Sequence, residues 1–193
     1  AVAVPLKDHR SRFYAKQAKQ PRIKIRTQDD YAEFYQSDTH APFFVKGFNY
    51  VRLRFGDHAT FEAETPNSPA YYDPYDAESL FWRMRKYGYN TVRVFLIGRR
   101  LENPGISGCW EHEGPYGPYM ENVADFLRRA RKYGIYVMLT LGDGEIPRNQ
   151  TYWNLIRNAK EGLQIEQVAG QSHNVIYFTP QGHQARARYA SDV

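Results

Sequence analysis

The sequence predicts an α/β fold built on a parallel sheet, and three observations carry that expectation. The phrase RMRKYG at 83–88 recurs as RARKYG at 129–134, and each copy leads into an apolar, β-branched stretch, TVRVFLI at 91–97 and IYVMLTL at 135–141. A helix end, a glycine free to turn left-handed and a strand, met twice in that order, describe repeated helix-then-strand units with parallel strands. Runs so rich in Val, Ile, Leu and Phe belong to strands covered on both faces. Finally, the segments after the strands are long while those before them are a few residues only. That asymmetry describes a scaffold presenting a site at the carboxyl ends of its strands.

Taken in order, 1–20 is polar and basic without a clear period and reads as an arm. The alternating RIKIR at 22–26 and the aromatic-rich 31–35 read as a hairpin leading into the main sheet, followed by the turn-like Ser37-Asp38-Thr39-His40. FFVKGFNYV at 43–51 reads as the first parallel strand. Gly47 inside it predicts close backbone approach, and Asn49 and Tyr50 fall at its carboxyl end. Residues 52–73, with Gly56, Pro66 and Pro69, read as a loop. Asp73 then caps a helix with Pro74 at its first position, running to about Tyr87 with Leu80, Phe81 and Met84 inward. After strand 91–97, the loop 98–119 carries Trp110, Glu111, His112, Glu113, Tyr116 and Tyr119. A helix over 120–133 follows, striped by Val123, Phe126, Leu127 and Ala130. Strand 136–141 ends in Gly142-Asp143-Gly144-Glu145. A short helix spans 151–160, and Thr179-Pro180 opens a last helix that runs to Val193.

At 193 residues, 42% hydrophobic and 16% aromatic, the chain has material for one domain with a core. No apolar run reaches the roughly 20 residues of a membrane span, and no signal peptide stands at the start. Cys109 is the single cysteine, which excludes an internal disulfide and a cysteine zinc cluster. Asn149-Gln150-Thr151 is a glycosylation triplet of a kind common by chance. A net charge of +5 and a pI near 9.2 permit an anionic partner. The plainer reading places Arg83, Arg85, Lys86, Arg128, Arg129, Arg131 and Lys132 on solvent faces of helices, and nucleic acid is disfavoured as a partner. No G-x-G-x-x-G follows the first strand and no P-loop is present, which argues against a dinucleotide or nucleotide enzyme.

Arg93 is the one charged residue of its strand. A guanidinium in a strand buried on both faces needs a carboxylate or several acceptors, so the sequence predicts an anion facing Arg93. Glu111-His112-Glu113 lacks a further His or Cys at ligand spacing and reads as a solvated loop; no metal or cofactor is expected.

At GFNYVRL (47–53), YDAESLFWRMRKYGYNTVRVFL (75–96) and NVADFLRRARKYGIYVMLTLGDGEIPR (122–148) the chain resembles the N-terminal part of (β/α)8 glycoside hydrolases, near the cellulase- and mannanase-like family 5 of the retaining clan. FTPQGHQARARYASDV (178–193) is similar to the helix before their fourth strand. The resemblance implies an arm and short strands over 1–41, then the first three βα units of a TIM barrel over 42–193, incomplete, since eight units need about 250 residues. It implies hydrolysis of β-linked polysaccharide or oligosaccharide by two glutamates beyond residue 193. Arg93 matches the strand-two arginine that hydrogen-bonds the nucleophile and keeps it ionised. Asn49, Tyr50, Trp110, Tyr116, Asp143 and Glu145 then line sugar subsites, with Trp110, Tyr116 and Tyr119 as flat rings for the apolar face of a pyranose. Asp143 and Glu145 read equally as turn-shaping residues, and as a catalytic pair they are disfavoured, because carboxyls about 5 Å apart in distinct environments seldom come from one loop. The expected partners are the carbohydrate and the remainder of the barrel, not a membrane, and a secreted location is expected. The alternative is a non-catalytic carbohydrate-binding or interaction protein that keeps only the scaffold.

Overall fold

A computed structural model of the protein describes residues 20–28, 30–51, 53–54, 57–58, 60–64, 71–97, 104–141, 146–160 and 173–193. Its centre is a three-stranded parallel sheet, β3 (Gly47–Asn49), β6 (Thr91–Phe95) and β7 (Tyr136–Thr140), in the spatial order β3-β6-β7. Asn49, Arg93 and Met138 stand abreast across it. Helix α1 (Pro74–Lys86) crosses from β3 to β6 and α2 (Gly117–Lys132) from β6 to β7, so both repeats fold as the helix-then-strand units their sequences describe.

Local chemistry sets the helix ends. The Asp73 carboxylate accepts from the N–H groups of Tyr75 and Asp76 at 2.8 and 3.3 Å, and Pro74 occupies the first turn, where its missing N–H costs nothing. Both repeats stop at a glycine in the left-handed region, Gly88 at φ +75° and Gly134 at φ +68°, which turns the chain into the next strand. Gly47 meets its own constraint: a Cβ there would stand 1.8 Å from the Thr91 carbonyl oxygen, the close approach its place in the strand predicts.

The core fills the space between sheet and helices. Val92 and Val94 point into it from β6, and Ala77, Phe81 and Met84 enter from α1, with Val123, Phe126 and Ala130 from α2. Phe126 holds the edge-on rings of Phe61 and Phe81 at 5.2 and 4.7 Å. Outside this layer Glu78 of α1 is almost enclosed and accepts from Arg129 Nη1 (3.0 Å), Lys132 Nζ (2.6 Å) and Tyr133 Oη (2.6 Å). Arg129 also reaches Asp125 at 2.6 Å, and Tyr72 Oη donates to the same carboxylate at 2.7 Å. Arg129 and Lys132 are therefore not free on a solvent face, as their sequence position implies; they tie α2 to α1.

Three further differences from the sequence reading stand out. Within 52–73 there is a small antiparallel ladder, β4 (Leu53–Arg54) with β5 (Asp57–His58), too short to show a period. Helix α2 begins at Gly117 rather than 120, because Pro118 is accommodated in its first turn, and a 3₁₀ turn (Gly105–Ser107) interrupts the loop before it. A six-residue helix, α4 (His173–Phe178), precedes the last one. Helices α3 (Gln150–Lys160) and α5 (Pro180–Asp192) lie where the sequence puts them, the latter capped by the Thr179 hydroxyl, which accepts from the Gly182 N–H at 3.0 Å. Among the described residues no helix is long and apolar enough to cross a membrane.

The hairpin β1 (Ile23–Gln28) with β2 (Tyr31–Gln36) forms as expected, fixed across its strands by the Arg26–Glu33 pair at 2.7 Å. It packs at the amino end of the sheet. Tyr136 Oη donates to the Pro21 carbonyl at 2.8 Å, and Phe43 meets the Tyr136 ring edge-on at 4.9 Å.

Candidate functional site

Strand alternation sends Val92 and Val94 to the helices and Thr91, Arg93 and Phe95 to the opposite face. At the level of Thr91 and Tyr136 the hairpin closes over that face. One step along, at Asn49, Arg93 and Met138, it is open, with Met138 44% exposed. The expectation that Arg93 sits in a strand buried on both faces is thereby corrected: its side chain is exposed, because only the helix side of β6 is covered throughout.

Arg93 is nevertheless oriented. Its Nε donates to the Thr140 hydroxyl at 2.9 Å, and its guanidinium carbon lies 4.5 Å from the centre of the Phe95 ring. Both partners stand two positions further along their strands, abreast of each other, so the side chain leans toward the carboxyl end of the sheet. A stacked guanidinium with Nε engaged keeps both Nη groups for a ligand, and among the described residues no carboxylate meets them. Asn49 shares this face and is exposed.

The other predicted site residues divide. Tyr50 turns to the helix side, where its ring stacks on Phe126 at 5.7 Å, so it belongs to the core wall rather than the open face. Tyr119 is fully buried, its phenol oxygen accepting from the Ile97 N–H at 3.0 Å; it holds the end of β6 and presents no platform. Trp110 and Tyr116 are half-buried in the 104–116 segment. The Trp110 carbonyl accepts from the Gln150 N–H at 2.9 Å, the Tyr116 N–H donates to Ile106, and the Tyr116 ring meets His112 edge-on at 4.9 Å. Asp143 and Glu145 lie outside the described residues. Glu111 and Glu113 are exposed, and His112 Nδ1 lies 3.6 Å from Cys109 Sγ. Among the described residues no three His, Cys, Asp or Glu side chains converge to hold a metal ion.

Two features of the rim have parts that the sequence reading does not assign. Glu62 is 3% exposed, and its Oε2 accepts from the Gly105 N–H at 3.2 Å, joining the segment after β5 to the 3₁₀ turn after β6. Burial pushes its carboxyl up to about 7, against the lowering effect of that hydrogen bond. A carboxyl there can exchange a proton near neutrality. The sole sequence signal is a charge between Phe61 and Ala63, which a loop assignment hides. The second is Asn149, fully buried, whose amide donates to the Ser107 and Gly114 carbonyls at 3.0 and 2.8 Å while Thr151 accepts from the Gly114 N–H at 2.9 Å. The glycosylation triplet is thus a brace that closes the 104–116 segment onto α3.

No known family profile matches the chain. Over 68 residues it is 40% identical to a glucosylceramidase of Aspergillus fumigatus, a match covering 33% of this chain and 8% of that protein. A solved structure titled "Glycoside hydrolase" aligns with a TM-score of 0.47 at 12% identity, over 90% of this chain and 39% of that one. The chain thus spans a small part of the relative it matches, and what the two share is a stretch of 68 residues.

Proposed function

We propose that this chain supplies the arginine-bearing strands of a retaining β-glycosidase built as a (β/α)8 barrel, with β3, β6 and β7 as its first three strands. The observation that carries the reading is Arg93, stacked on Phe95 and held by Thr140 so that its Nη donors, which meet no carboxylate among the described residues, face the carboxyl end of the sheet. A cation fixed at that place favours an ionised carboxylate beside it, the state a glycosidase nucleophile requires. The catalytic carboxylates then come from outside the described residues. Asn49, on the same face, offers an amide to a sugar hydroxyl, and Trp110, Tyr116, Asp143 and Glu145 are the further subsite residues. The relative's name directs the first choice of substrate to a glucosyl group, offered here as the β-glycoside that a retaining β-glycosidase would cleave.

The gene product carrying these residues is expected to release nitrophenol from 4-nitrophenyl β-glucoside with retention at the anomeric carbon, read by NMR. Arg93→Lys, which keeps the charge and loses the planar fork, should lower kcat/KM by about 10²–10³-fold. It should also move the acidic limb of the pH profile upward, since a less well-held carboxylate takes up its proton earlier. Hydrolysis unaltered by Arg93→Lys, or no action on any β-glycoside, overturns the reading.

A further inference from the structure

At the opposite, amino end of the sheet the three successive units each leave one cation. Lys46 immediately precedes β3, Arg85 stands one residue before the end of α1, and Arg131 holds the equivalent place in α2. All three line one cleft of about 670 Å³ between the hairpin and the helix-to-strand turns. Asn90 fixes its floor: the Asn90 carboxamide oxygen accepts from the Lys46 N–H at 2.8 Å, and its NH₂ donates to the Phe44 carbonyl at 2.8 Å.

Basic residues in a last helical turn favour the negative end of the helix dipole, and that accounts for cations being there. It does not occupy their donors. The last carbonyls are already taken by backbone N–H groups: Arg83 and Arg85 by Tyr87 and Gly88, and Ala130 and Arg131 by Tyr133 and Gly134. Lys132, at the same cleft, is engaged by Glu78. Among the described residues Lys46, Arg85 and Arg131 have no carboxylate partner. Asp38, the acid on the lining, is held by the Thr39 N–H at 2.8 Å.

We infer that this cleft binds a tetrahedral oxyanion of the phosphate class through Lys46, Arg85 and Arg131, either as a free ion or as the headgroup of a lipid. Two guanidinium forks and one ammonium on a single lining offer donors for the several acceptor oxygens of such a group. The site is independent of the sugar face, which lies at the other end of the strands.

The test titrates the full 193-residue chain with inorganic phosphate by calorimetry at constant ionic strength. A parallel arm sediments it with phosphatidylcholine vesicles with and without phosphatidic acid. Saturable binding of phosphate, or of the acidic vesicles alone, is expected, and which arm responds identifies the source. The double variant Arg85→Gln/Arg131→Gln should weaken that binding by about tenfold or more. Arg83→Gln/Arg128→Gln, which removes the same charge away from the cleft, should leave it within about twofold. These arginines are exposed, so both variants should melt with the parent. No binding in either arm, or equal losses in the two double variants, overturns the proposal.

Discussion

At Gly47 the parallel strands come so close that a single methyl decides the pairing. A Cβ 1.8 Å from the Thr91 carbonyl oxygen meets backbone, which cannot swing aside as a side chain can. Gly47→Ala should therefore part β3 from β6 and cost about 2–4 kcal/mol in urea unfolding, and a variant within about 0.5 kcal/mol of the parent would show the contact to be softer than it looks. Glu62 gives a different signature, in pH. Its carboxyl is raised from the usual 4.5 to about 7 by burial, so the folded state holds its proton longer than the unfolded chain does. The stabilisation is complete below about pH 4.5, and it is lost as pH rises through 7. Glu62→Gln should flatten this loss, on the order of 2–3 kcal/mol, in melts recorded across that window. Gly47 was legible in the sequence, since a glycine weakens the apolar strand that contains it unless another backbone must come close. Glu62 was not, because its burial is created by the return of Gly105 from far along the chain.

The elements owe their limits to caps and their placement to charge. Removing the Asp73 cap by Asp73→Ala should cost about 1 kcal/mol, measured as a lower unfolding midpoint with unchanged denaturant dependence. The α1–α2 contact depends more heavily on Glu78. Burial alone would push this carboxyl up, but hydrogen bonds from Lys132, Tyr133 and Arg129 hold it below the ordinary value. Its contribution thus runs opposite to that of Glu62: present above the ordinary carboxylate range and lost as pH falls through its lowered value. Glu78→Ala strands two cations and a phenol, and should destabilise by about 2–4 kcal/mol, toward the lower end of buried pairs because Arg129 and Lys132 keep contact with water. The helices were legible because Asp73-Pro74, Thr179-Pro180 and the two RKYG phrases are local signals. The partners of Arg129 and Lys132 were not, since Glu78 lies about fifty positions earlier and only the pairing of α1 with α2 brings it near.

At the scale of the molecule, the order β3-β6-β7 leaves β3 and β7 as edges among the described residues, and of these the hairpin covers one sheet face at its amino end. The repeat predicts this parallel arrangement correctly. It misjudges the burial of β6, because periodicity records how apolar a strand is and not whether something lies across both of its faces. Edges that carry no further strand among the described residues, beside an exposed Met138, favour pairing with another copy, so the isolated chain should sediment as more than a monomer at micromolar concentration. Met138→Lys should shift it toward the monomer; a chain that sediments as a single monomeric species throughout would show the edges to be adequately protected. The buried brace at Asn149 has a consequence for biosynthesis. An oligosaccharide can be attached to that amide only while the 104–116 segment is still apart from α3, and once attached it would prevent the two from meeting. In a secretory host, sugar at this triplet would therefore mark chains that missed their native state, and the correctly folded fraction should run at its unmodified mass.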